Sequence, residues 1–139
     1  MSALDSLIRL HRWQLDERRR QLGELDTLAE KLRQELVRLV VEQRQEHSVA
    51  AASLDAATSY GSYARDVIDR RLRIEKSLAS VEQEVVVARE ALAESFREVK
   101  RYEIAAATRA AQQRKRVARQ QQRTLDEIGI ENYRRRSGA

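Results

Sequence analysis

The sequence predicts an all-α protein, a long antiparallel two-helix coiled-coil hairpin. Three observations carry this. Proline is absent and Gly occurs only four times in 139 residues, while Ala, Leu, Glu, Gln and Arg dominate, which is the composition of long helices. Apolar residues return at alternating steps of three and four along two arms. The one internal cluster of turn formers lies between those arms.

The first arm, about residues 3–57, places Leu4, Ile8, Leu15, Leu22, Leu25, Ala29, Leu32, Leu36 and Leu39 on one heptad seam, with His11 and Arg18 as polar interruptions. Beyond Val40 the register falters. Gln43, His47, Ala50, Leu54 and Ala57 fit after a shift of one position, a stutter that locally unwinds a coiled coil. In the stretch LDAATSYGSYARD, Thr58, Ser59, Gly61 and Ser62 predict a turn over about 58–63, with Gly61 at a helix end and Ser62 capping the next helix.

The second arm, about 64–128, keeps the same rhythm through Val67, Ile74, Leu78, Val81, Val85, Ala88, Leu92, Val99, Tyr102 and Ala106, broken at Arg71 and Ser95. It is expected to end at Gly129, leaving a flexible tail over 129–139 in a single coiled-coil domain over 1–139. A fold at Gly61 sets residue i opposite about 122 − i, which brings the small side chains of EIAAATRAA against Leu10, His11, Trp13 and Leu15. Each seam Leu or Val contributes roughly 1.5–3 kcal/mol when buried, whereas an isolated arm buries almost nothing. Pairing is therefore required. A parallel homodimer of continuous helices is the alternative, and Gly61 among Ser, Thr and Tyr would interrupt it, so a monomer is expected.

Chemistry finds little support. Cysteine is absent, which removes disulfides and thiolate metal sites and fits a reducing compartment. His11 and His47 lie 36 positions apart, too far to share a metal. No Gly-rich phosphate loop occurs, and paired acids such as Asp16 with Glu17 have no neighbour that would shift them. No catalytic residue, metal ligand or cofactor is expected, and the chain reads as no enzyme. Neither a signal-type apolar run nor a stretch of the roughly 20 apolar residues needed to span a membrane is present. The expected location is the cytoplasm.

Charge is concentrated. Residues 1–57 balance at −1, 58–96 at −1, and 97–139 at +7. Arg109, Arg114, Lys115, Arg116, Arg119 and Arg123 carry much of this surplus, in a spacing read as wrapping around the helix, and the hairpin sets them beside Arg9, Arg12, Arg18, Arg19 and Arg20. Such a run fits a nucleic acid, an acidic protein partner, or a solvated face without a role. Few aromatics interleave for base stacking. Trp13 falls outside the seam with Leu10 one turn before it, either as an exposed anchor for a partner or folded over the Ala-rich stretch.

The N-terminal LIRLHRWQLDERRRQLGEL, the C-terminal RKRVARQQQRTLDEIGIENYRRR and the small hairpin together resemble the FliJ family, the coiled-coil component of the flagellar type III export apparatus. The resemblance covers nearly the whole chain. It implies a stalk whose end with both termini enters the central hole of a hexameric, FliI-like export ATPase and stimulates hydrolysis. It also implies contact with the cytoplasmic domain of an FlhA-like export-gate membrane protein, and with export chaperones, and so a place at the cytoplasmic face of the membrane. No specific nucleic acid is implied. On this resemblance the ATPase-binding tip is Arg9, Arg12, Trp13, Arg109, Arg114, Lys115, Arg116, Arg119 and Arg123. The gate-binding surface, nearer the turn, is Leu36, Val40, Gln43, His47, Tyr63, Val67 and Ile68, although Gln43 and His47 stand where more aromatic character is expected.

Overall fold

A computed structural model describes residues 2–52 and 54–138, and the side chains of these except 54–58. Two helices account for it: α1 over Ala3–Ala52 and α2 over Leu54–Ser137. They pack against one another as an antiparallel hairpin, and no strand occurs among the described residues. The packing falls into two compact units. The first comprises 1–12 with 97–139, the second 13–96.

Within the second unit the seam is the one the spacing dictates. Ala29, Val81 and Val85 form its buried centre, with Leu22, Leu25, Leu32 and Leu78 packed against them. Leu15, Leu39 and Val67 are buried as well. Arg18 and Arg71, the polar interruptions, stay exposed, because a guanidinium that leaves water without a partner costs more than a seam contact returns. In the first unit Ile8 and Val99 are buried, and His11 lies flat on Tyr102 with ring centroids 4.6 Å apart. This stack explains how a histidine serves as a seam residue.

The register departs from expectation, each residue of α1 meeting partners earlier on α2 than a fold at Gly61 would give it. A fold at Gly61 sets Arg33 opposite residue 89 and Arg12 opposite residue 110. In the second unit Arg33 instead reaches Glu82 at 3.2 Å, and in the first Arg12 reaches Glu103 at 3.1 Å, seven positions short in each case. The helix boundaries shift in the same direction. α2 begins at Leu54, so Ser59 through Tyr63 are helical and no turn occupies 59–63; Gly61 has no positive φ. Glycine and serine weaken a helix without breaking it, at about 0.5–1 kcal/mol for Gly relative to Ala, and no proline enforces a stop. The seam positions Leu54 and Ala57 lie outside the described side chains.

The C-terminal boundary also moves. α2 runs through Gly129 to Ser137, so no irregular tail begins at 129. It closes where Gly138 N donates to the Arg134 carbonyl at 2.8 Å. At the other terminus Ser2 and Asp5 form a reciprocal cap: Asp5 N donates to Ser2 Oγ and Ser2 N donates to Asp5 Oδ2, both at 3.2 Å. These bonds satisfy donors that the first turn leaves open and hold the Asp5 carboxyl below its ordinary pKa.

Candidate interaction surface

The first unit holds most of the residues expected at the tip. α1 brings Ser2, Leu4 and Asp5 to one wall of a cleft of about 480 Å³, and α2 brings Ala106, Arg109, Ala110 and Arg116 to the other. The small side chains of the Ala-rich stretch therefore face the start of α1, not Leu10 to Leu15. That displacement is in the same direction as the one at Arg12 and Arg33. Arg12 is engaged: its Nε and Nη2 both donate to Glu103 Oε1, at 3.4 and 3.1 Å. This bond, seconded by Lys100, lowers the pKa of Glu103.

Beyond the cleft α2 continues with nothing packed on it. Every described side chain from 112 to 138 is exposed. No carboxylate occurs between Glu103 and Asp126, so Arg114, Lys115, Arg116 and Arg119 have no acid within one turn. No ion pair is found at any of these four, nor at Arg109 or Arg123, among the described residues. The arginines of the second unit behave differently. Arg19 pairs with Asp16, and Arg20 with Glu17 and Glu24; the Arg20 bond pulls the Glu17 pKa down. Those cations are neutralised on their own helix, and the expectation of one uniformly cationic end narrows to the C-terminal segment.

The basic residues do not wrap evenly either. At about 100° per residue, Arg109, Arg116, Arg119 and Arg123 fall within roughly 80° of the α2 circumference, and Lys115 lies just beyond. Arg114 alone is on the far side, near Val117, Leu125 and Ile128. Those three apolar residues are 44%, 63% and 49% exposed. Sequence reading missed this second stripe because attention to the seam passes over apolar residues that lie off it.

Trp13 belongs to the second unit and is 62% exposed, which settles its orientation toward solvent. Of the residues expected at a gate-binding surface, Val67 is 2% exposed and serves the core. Leu36, Val40 and Gln43 are half-buried. His47 is exposed and tilts against Tyr60, 5.5 Å between ring centroids, and Tyr60 is 6.2 Å from Tyr63. Burial, then the nearby Glu42 and Glu46, raises the Tyr63 pKa. Ile68 is 50% exposed. The fully exposed members of this group are thus His47 and Ile68, Tyr63 is half-buried like Leu36, Val40 and Gln43, and the half-buried Tyr60 joins them unforeseen.

Among the described residues no group of three potential ligands is placed to hold a metal, and no helix is long and apolar enough to cross a membrane. The fold is that of an antiparallel two-helix coiled coil with an exposed basic extension. The chain matches the family described as Flagellar FliJ protein over residues 1–138. It belongs to the FliJ family, and is thereby a component of flagellar export. No curated protein and no solved structure matches it.

Proposed function

We propose that this chain is a stalk-like regulator of the flagellar export machinery: the basic extension of α2, with the N-terminal turn beside it, enters the central hole of the hexameric export ATPase and stimulates hydrolysis. Supporting this is the run Arg114, Lys115, Arg116 and Arg119, four cations with no acid within one turn, since an unneutralised basic segment is steered toward an acidic cavity by long-range charge. Contact with the export gate, through His47, Tyr63 and Ile68, and with export chaperones completes the role, carried out by a monomer at the cytoplasmic face of the membrane.

The test is ATP hydrolysis by the cognate export ATPase with and without this chain. Changing Arg114, Lys115, Arg116 and Arg119 together to Glu abolishes stimulation while helicity is retained, because all four side chains are exposed and Glu has a helix propensity close to that of Arg and Lys. Changing Gln43 and His47 to Ala spares stimulation and weakens gate binding. A fourfold variant that stimulates as well as the parent removes the stalk reading.

A further inference from the structure

In the first unit the seam of α2 does not stop where α1 stops. Val99, Tyr102 and Ala106 occupy it against α1, Val99 buried and the other two half-buried. Continued by the same steps of four and three, it passes through Arg109, Gln113, Arg116, Gln120, Arg123 and Glu127, all exposed. The edge that faces a helix lower down thus becomes a row of Arg at every seventh residue, about 10.5 Å apart, with Gln between. Arg109 and Arg116 already line one cleft with Ser2 and Asp5, the first turn of α1. Where α1 is present, α2 offers a carboxylate, Glu103, to an arginine of α1; past its end the polarity reverses.

We propose that this open half-seam takes an acidic amphipathic helix of a partner, laid along residues 109–127 in the line that α1 leaves, with carboxylates at the seam positions of successive heptads. The inference rests on the reading of this segment as a protein-docking tip and names the element it docks. Two features of the row argue for a helix: it is continuous with an interface that already holds one, and it lies on one side of α2 instead of encircling it. The direction of α1 adds to this, because a helix continuing its line presents its negative C-terminal dipole to the N-terminus of α1. A second copy of this chain is disfavoured by charge. Residues 112–137 hold eight basic and three acidic side chains, so two such segments side by side repel.

Two synthetic helical peptides of identical composition test it, one with Glu at the a and d positions of three heptads, the other with the same Glu scattered around the helix. Binding to the full chain is read by fluorescence anisotropy at about 150 mM salt, where long-range attraction is largely screened. Three partly exposed pairs each contribute less than a decade and multiply to about tenfold, so the seam peptide binds about tenfold tighter than its isomer. Changing Arg109, Arg116 and Arg123 to Gln removes that preference. Changing Arg114, Lys115 and Arg136 to Gln takes away equal charge off the row and keeps the preference. Equal binding of the two peptides, or equal losses in the two triple variants, overturns the inference, as does an oligonucleotide that displaces the seam peptide with the same dependence on the row. ATPase stimulation is scored separately. A chain that stimulates yet binds both peptides alike loses this inference alone, whereas one that prefers the seam peptide without stimulating loses the ring reading.

Discussion

Replacing Ala29 by Leu tests the seam at its tightest point. Ala29 is 2% exposed and touches a cluster of Val81 and Val85 with Leu22, Leu25, Leu32 and Leu78 around it. Leucine adds three carbon atoms at a place with no room for them, and since Leu and Ala have similar helix propensities the backbone contribution hardly changes. What remains is overpacking, about 1–3 kcal/mol. For a chain of this size each kcal/mol moves the midpoint by about 4 °C, so the variant melts roughly 4–12 °C below the parent when followed by circular dichroism at 222 nm, the helical band. Ala93→Leu serves as the control: Ala93 is exposed in the same unit, and its substitution stays within about 0.5 kcal/mol, under about 2 °C. If Ala29→Leu melts at or above the parent temperature, Ala29 is not held between the helices, and the seam as drawn is wrong.

Gly61→Ala stabilises the protein by about 0.5–1 kcal/mol, because Gly61 is helical, without a positive φ, and its added methyl meets nothing within 4 Å; a lower melting temperature would restore the turn at 58–63. Glu103 has a folded pKa below its ordinary 4.5 through its bond from Arg12. The unfolded chain therefore binds the proton more readily, and the stabilisation is present above about pH 4.5 and is lost as pH falls through the folded value. Asp5 acts in the same sense. Urea midpoints measured from about pH 6 to pH 3 fall less steeply in Glu103→Gln than in the parent, and parallel curves would show that the Arg12 bond contributes nothing to this dependence.

The seam was legible in the sequence, residue by residue, because a three-four repeat has only one way to present a continuous apolar edge. Ile8, Leu15, Ala29, Leu39, Val67, Val81, Val85 and Val99 are buried where the spacing places them. Register was not legible in the apolar repeat alone: sliding one heptad past another brings every seam residue onto another seam position, so Arg33 has Glu82 or Arg89 opposite it at nearly equal apolar contact. Charge separates the two, since Arg89 would face Arg33 with like charge whereas Glu82 pairs with it, but Gly61 with its serines misdirects the choice of reversal, since a helix tolerates all of them. Gly129 misleads in the same way. At the candidate surface, net charge and the identity of the basic residues could be read directly. Their one-sided arrangement could not, because Arg109, Arg116 and Arg123 form a row only relative to a seam extended past the end of α1, and that end depends on the register.

Residues 117–137 of α2 have no second helix against them among the described residues, so their backbone hydrogen bonds are flanked by water on every side. An isolated helix is marginal in water, and its local bonds, such as Gln122 to Asp126 at 3.1 Å and Arg135 to Glu131 at 3.2 Å, are exposed ones. Amides here open at little free-energy cost, whereas those around Ala29 open only when their unit loosens. A partner seated on the row is then recorded as slowed amide exchange confined to that stretch, and part of its intrinsic affinity is spent on ordering the backbone it grips. Stiffening the segment in advance recovers that part: Gly129→Ala, a change no partner need touch, tightens binding through the free state alone.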